Sequence, residues 1–341
     1  MTNLMIGLLG AALATNQPVA LSNLVVQTTG MSITVPGTND PVEVELQKLM
    51  DADDDAQAEV DGWIKENQQF AAKGAAIPNA ELNQRILKRF EPVRTGYEDF
   101  IKRHPKHAAA RVAYASFLND LGDEEGAHDQ LEVARELDPK DPAMWNNLAN
   151  YYGEHGEVTN AFAYYAKAME LNPGESVYYQ NLATAVYLFR RDATNFYRIT
   201  EPEVFDKALA LYGQALKLDP TNFPLATDLA QSYYGIRPMR TNDALQAWTN
   251  ALSIAHDEIE REGVYTHLAR VKTYIGRYAE ARAHLNVVTN EMYLDLKTRL
   301  LKNLDRWENQ AKQTNTPPLL NQQQISTNGP DTNTTQLPVK P

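Results

Sequence analysis

The 341-residue chain contains no cysteine. That absence excludes disulfides, thiol catalysis, cysteine-ligated zinc and lipid attachment through an N-terminal cysteine. Positive charge is also scarce: 32 Lys and Arg stand against 44 Asp and Glu, a formal net charge of −12. Phosphate binding needs a basic surface that releases counterions, so no nucleic-acid partner is expected. A basic or neutral polypeptide fits the charge better. Long apolar runs are missing as well. The stretch LMIGLLGAALA at residues 4–14 is too short to span a bilayer, and no integral membrane segment is expected. Its end, Ala12-Leu13-Ala14, has the small-residue form of a leader cleavage site, which points to an exported chain, periplasmic or secreted. Basic residues are absent before Lys48, unlike an ordinary leader. The cytoplasmic alternative makes the same run a short helix docked on the body.

Catalytic patterns are absent too. The sequence holds no Gly-rich phosphate loop, no G-x-S-x-G elbow and no H-E-x-x-H helix. His104 and His107 bracket Pro105 and read as a surface turn. Asp51, Asp53 and Asp55 imitate the start of a calcium loop. Ala56 replaces the required Gly and Gly62 the required Glu. A solvated acidic helix face is the expectation there. Neither an enzyme nor a cofactor is expected.

What is present is a period. Pro105, Pro139 and Pro173 close the strings KRHP, ELDP and ELNP at intervals of 34 residues. Pro220, in KLDP, follows one period plus an insert. A fixed period of this length marks a stacked helical array. In the middle unit Trp145, Leu148, Ala149 and Tyr152 fall on one face of a first helix, and Ala161, Tyr165 and Ala168 mark the inner face of a second, with Gly156 between. Small alanines allow close helix approach, and the closing proline cannot continue a helix. The preceding unit repeats the pattern with Tyr114, Ala115, Leu118, Gly122, Ala127, Leu131 and Ala134. The following one does so with Tyr179, Leu182, Ala183, Val186, Ala208, Tyr212 and Ala215. A fourth carries Leu229, Ala230, Tyr233, Ala244, Trp248 and Ala251, with His256 in place of the proline. A fifth carries Tyr265, Leu268, Ala269, Gly276, Ala281, Leu285 and Val288. Tyrosine doublets (Tyr151-Tyr152, Tyr164-Tyr165, Tyr178-Tyr179, Tyr233-Tyr234) put one ring of each pair at a packing position.

These residues resemble the tetratricopeptide repeat family over about residues 80–290. The resemblance implies an all-α, right-handed superhelical solenoid of antiparallel helix pairs, with the first helices lining a concave wall. Two polar columns fall on that wall in register: Ala113, Asn147, Asn181, Asp228 and His267, then Ser116, Asn150, Thr184, Gln231 and Arg270. Asparagine is a poor residue inside a helix, yet Asn146, Asn147 and Asn150 share one. An amide can pair with both groups of a peptide bond. The motif NNLAN is similar to the asparagine ladder in the repeats of O-linked N-acetylglucosamine transferase, at Asn147, Asn150 and Asn181. The ligand-contact row expected from this register is Ser116, Asn146, Asn147, Asn150, Asn181, Thr184, Asp228, Gln231, His267 and Arg270. The alternative is a wall that is simply solvated. The family's Lys-Asn-Arg clamp for chain ends is not expected, because Val112, Ser116, Asn146 and Asn147 occupy its positions.

The insert FRRDATNFYRIT, residues 189–200, carries Arg190, Arg191, Phe196, Tyr197 and Arg198. It reads as an elongated helix pair packing its own aromatics, or as a second contact at one end of the groove. Thr200 and Glu203 form a capping box that restarts the helix. The expected organisation is a leader and linker over 1–40 and a helical region with a degenerate repeat over 41–104. The array follows over 105–289, a capping helix over 290–312 with Met292, Leu296, Leu300, Leu304 and Trp307 as its apolar stripe, and a disordered tail over 313–341. The function expected is a non-enzymatic scaffold that binds an extended polypeptide in the groove. One alternative is an assembly subunit working through convex faces or terminal helices. Another is an envelope-associated helper of glycan or peptidoglycan machinery.

Overall fold

The structure, a computed structural model, describes residues 40–71 and 74–314. The expected leader, apart from Asp40, and the expected tail, apart from Gln313 and Thr314, lie outside them. The described residues form α-helices joined by short turns, with no strand among them. They fall into two compact units that meet in sequence at Pro220 and Thr221. The first unit comprises α1 (Pro41–Ala71), α2 (Asn79–Arg103), α3 (Ala108–Asp120), α4 (Glu124–Leu137), α5 (Pro142–Glu154), α6 (Val158–Leu171), α7 (Ser176–Leu188), α8 (Arg190–Tyr197) and α9 (Glu201–Leu218). The second comprises α10 (Phe223–Ser232), a 3-10 turn (Tyr233–Gly235), α11 (Thr241–Ile254), α12 (Glu258–Tyr274), α13 (Tyr278–Asn286) and α14 (Glu291–Thr314).

Each repeat is a pair of antiparallel helices closed by the same local chemistry. The first helices start on a side-chain acceptor: His107, Asp141 and Glu175 cap α3, α5 and α7 at the 34-residue spacing. The turns to the second helices pass through Gly122, Gly156 and Gly276 at φ of 76°, 85° and 79°, the left-handed region that side chains resist. Residues six positions after each closing proline tie its carbonyl back to the next helix. Arg111 Nη2 donates to Pro105 O at 3.1 Å, Trp145 Nε1 to Pro139 O at 2.8 Å and Tyr179 Oη to Pro173 O at 3.2 Å. The alanines meet their purpose: Ala161, Ala168, Ala208, Ala215, Ala244 and Ala251 are fully buried where helix backbones approach.

Several local expectations change. Tyr178, not Tyr179, is the buried ring of its doublet, because Tyr179 turns outward to reach Pro173. The insert is not an extension of a helix pair. It folds as the separate short helix α8, ended by Arg198 at φ 55°, and Phe196 and Tyr197 pack on Phe162 of the preceding repeat at 5.4 and 5.6 Å. The capping box of Thr200 and Glu203 then starts α9. Asp53 is not part of a solvated face. It is 8% exposed, accepts the Tyr97 hydroxyl at 3.0 Å and the Gln57 amide at 3.2 Å, and burial pushes its carboxyl up to about 7. On α14, Met292 is 55% exposed while Leu304 is fully buried and Leu300 packs beside it. Tyr293 packs in its stead, its hydroxyl pressed against Gly263, because Glu262 anchors the chain just before it.

Candidate functional site

The two polar columns become a bonded network on α5 and α7. Asn146 is fully buried and Asn147 is 6% exposed; Asn150, Asn181 and Thr184 are half-buried. Asn181 Nδ2 donates to Asn146 Oδ1 at 2.9 Å across the repeat boundary, and Asn146 Nδ2 reaches Asn147 Oδ1 at 3.5 Å. Buried amides are tolerated only when paired, which answers why one helix can carry three of them.

One turn along, the second column pairs with tyrosines of the second helices. Tyr165 Oη donates to Asn150 Oδ1 at 2.6 Å, and the hydroxyls of Thr184 and Tyr212 lie 2.8 Å apart. Burial pushes the Tyr165 hydroxyl well up, so it remains a donor. Tyr165 and Tyr212 occupy the same repeat position, and neither belonged to the row expected from the sequence. The available signal was their register opposite Asn150 and Thr184. Ser116, half-buried on α3, lies outside this network.

In the second unit Asp228 is half-buried and Gln231 exposed on α10. His267 and Arg270 on α12 meet two residues outside the expected row, Tyr234 and Trp248. The His267 ring stacks on Trp248 at 4.0 Å and 7°, the Tyr234 hydroxyl lies 3.2 Å from His267 Nδ1, and the Arg270 guanidinium sits over the Tyr234 ring at 4.4 Å. Burial, reinforced by the Arg270 charge, holds His267 down at about 3. Trp248 stands where Tyr165 and Tyr212 stand in their repeats. It is 1% exposed, and its indole N–H has no hydrogen-bond partner among the described residues. At longer range the indole N–H acts on the Tyr234 hydroxyl.

The insert presents Arg191, Phe196 and Arg198 outward. Arg190 instead donates to Tyr187 O at 3.0 Å and lies over the Tyr187 and Phe205 rings. A cleft of about 470 Å³ opens between Leu188, Arg190, Arg191 and Glu201. Among the described residues no group of three or more His, Asp or Glu is placed to hold a metal ion, and no helix is long and apolar enough to cross a membrane.

The sequence patterns of two tetratricopeptide repeat models match residues 108–151 and 142–175, the helix pairs α3–α4 and α5–α6 with their flanking turns. Residues 108–175 of this chain are tetratricopeptide repeats. A TPR repeat-containing protein of Methanocaldococcus jannaschii is 28% identical over 137 residues, 40% of this chain and 21% of that relative. The chain thus covers about a fifth of that relative's length. Among solved structures, PilW, a widely conserved type IV pilus biogenesis factor, matches with a TM-score of 0.50 and 15% identity over 63% of this repeat protein and 91% of PilW. The pilF protein of Pseudomonas aeruginosa matches with a TM-score of 0.47 and 15% identity, over 75% and 99% of the two chains. The PilW likeness is one of fold: stacked antiparallel helix pairs.

Proposed function

We propose that this tetratricopeptide repeat protein is a non-enzymatic scaffold that holds an extended segment of another polypeptide along the first helices of its repeats. Ser116, Asn147, Asn150, Asn181 and Thr184 form the contact row in residues 40–220; Asn146, expected in that row, is fully buried and holds Asn181 from behind. Asp228, Gln231, His267 and Arg270 contribute in residues 221–314, and Arg191, Phe196 and Arg198 add a second contact on the insert. The observation that carries the reading is the 2.9 Å bond from Asn181 to Asn146. It ties the first helices of neighbouring repeats together and so fixes the half-buried Asn181 on the wall; an amide side chain carries both a donor and an acceptor for a peptide group. Each such bond adds only about 0.5–1.5 kcal/mol net, so affinity comes from several repeats acting together.

The test is a crosslinking pull-down in the native organism, comparing wild type with Asn147→Ala/Asn150→Ala/Asn181→Ala. Circular dichroism melts run alongside, because these amides are also partly structural. Partners lost from a variant that still melts cooperatively support the groove. Unchanged partners end the proposal. Light scattering then distinguishes the assembly-subunit alternative, which requires a mass that grows with concentration.

A further inference from the structure

Acidic residues outnumber basic ones by 44 to 32, and cations elsewhere in the second unit, such as Arg277 and Arg282, are paired with carboxylates. Arg270 has no carboxylate within ion-pair distance among the described residues. Its one close protein contact is the face of Tyr234. His267, three residues back and so on the same helical face, is held by the rings of Trp248 and Tyr234. The Tyr234 hydroxyl lies 3.2 Å from His267 Nδ1 and 3.4 Å from the His267 carbonyl oxygen, and in the tautomer where it donates to Nδ1 the ring proton sits on Nε2. His267 is half-buried, and its Nε2 has no protein hydrogen-bond partner among the described residues. The buried Trp248 indole N–H acts on the Tyr234 hydroxyl within the stack. A guanidinium and an imidazole on one helical face beside this stack, with no ion pair to Arg270 among the described residues, call for an acceptor from outside the chain. The rings fix the two reachable donors in place, so little ordering is left to binding.

We propose that His267 and Arg270 recognise a single carboxylate side chain, Asp or Glu, within the polypeptide this protein holds. The guanidinium fork matches a planar carboxylate, His267 Nε2–H adds a neutral donor, and the Tyr234 and Trp248 rings give the methylenes an apolar bed. The overall charge of −12 disfavours a polyanion, so the ligand is one acidic residue in an otherwise neutral or basic segment. This inference rests on the scaffold reading and adds a side-chain preference to it.

The experiment is an NMR titration of the full chain, read at the Trp248 indole resonance, which a Trp248→Phe variant assigns. The probes are a blocked Gly-Ser-Glu-Ser-Gly peptide, its Gln counterpart and inorganic phosphate. The expected result is a saturable shift with the Glu peptide that is about tenfold weaker with the Gln peptide. Arg270→Gln weakens it by a similar factor, and Arg270→Lys, which keeps charge but loses the fork, falls between. Equal responses to Glu and Gln peptides, or an unchanged response in Arg270→Gln, overturn the proposal. Tighter binding of phosphate than of the Glu peptide also overturns it, in favour of a free-anion site. The titration reads a five-residue peptide at Trp248 and the pull-down reads whole partners, so the two outcomes can fail separately.

Discussion

At the scale of single residues, burial reverses what composition implies. Asp53 sits in the run DADDDA, which looks like solvated charge, yet its side chain is wedged against Tyr97. Desolvation raises its carboxyl to about 7, while the unfolded chain titrates near the ordinary value of 3.8. A raised folded value means that stability is intact below the unfolded value and is lost as pH rises through the folded one. The contribution of Asp53 to stability is therefore expected to fall between about pH 4 and pH 7. Asp53→Asn keeps an acceptor for Tyr97 and has no charge to bury. Its melting temperature is expected to exceed wild type at pH 8 by much more than at pH 4, with an upper bound of about 4 kcal/mol from the three-unit shift. Equal melting-temperature differences at the two pH values would contradict this assignment. The same contrast shows what a sequence conveys. Asp53 was expected on a helix, and it lies on α1. Only the arrival of α2 made that helix face an interior, and Tyr97 is 44 residues away.

Elements are joined by buried polar anchors as much as by apolar faces. Glu262, nearly inaccessible on α12, accepts Thr289 N at 2.9 Å, Thr289 Oγ1 at 2.8 Å and Asn290 N at 2.7 Å, just before α14 begins. Desolvation acts to raise its carboxyl, and the donors outweigh it, so it lies below the usual carboxylate range. The sign is opposite to Asp53: this contribution is present above the unfolded value and is lost as pH falls through the folded one. Glu262→Ala strands two backbone N–H groups. We expect it to destabilise the second unit by about 1–3 kcal/mol, read by urea titration, with the amides of Thr289 and Asn290 the first to gain hydrogen exchange. Exchange at those amides equal to wild type would refute the anchor. The helix α14 itself was legible from its apolar stripe. Its docking was not, because Met292 and Tyr293 are adjacent in sequence and only the anchored entry decides which one turns inward.

At the scale of the whole molecule, stacked repeats contact chiefly their neighbours, so perturbations travel short distances. Exchange changes caused by Asp53→Asn are expected to stay within residues 40–220, and those caused by Glu262→Ala within 221–314. Changes of comparable size in both units for either variant would show cooperativity beyond nearest neighbours. The scaffold reading belongs at this scale too, since no single amide supplies useful affinity.

The 34-residue spacing of prolines, the alanines at helix crossings and the left-handed glycines determined the repeat architecture on their own. Each acts within a few residues or at a fixed period, where sequence distance and spatial distance agree. The polar interior was decided only by tertiary structure. Asn146 finds Asn181 across 35 residues, Asn150 finds Tyr165 on the facing helix, and His267 finds Trp248 and Tyr234 on two other elements. An amide, carboxylate or imidazole takes its energy from the partner it meets and from the water it loses. Both are properties of the packed chain, set by helix crossings that periodicity does not specify.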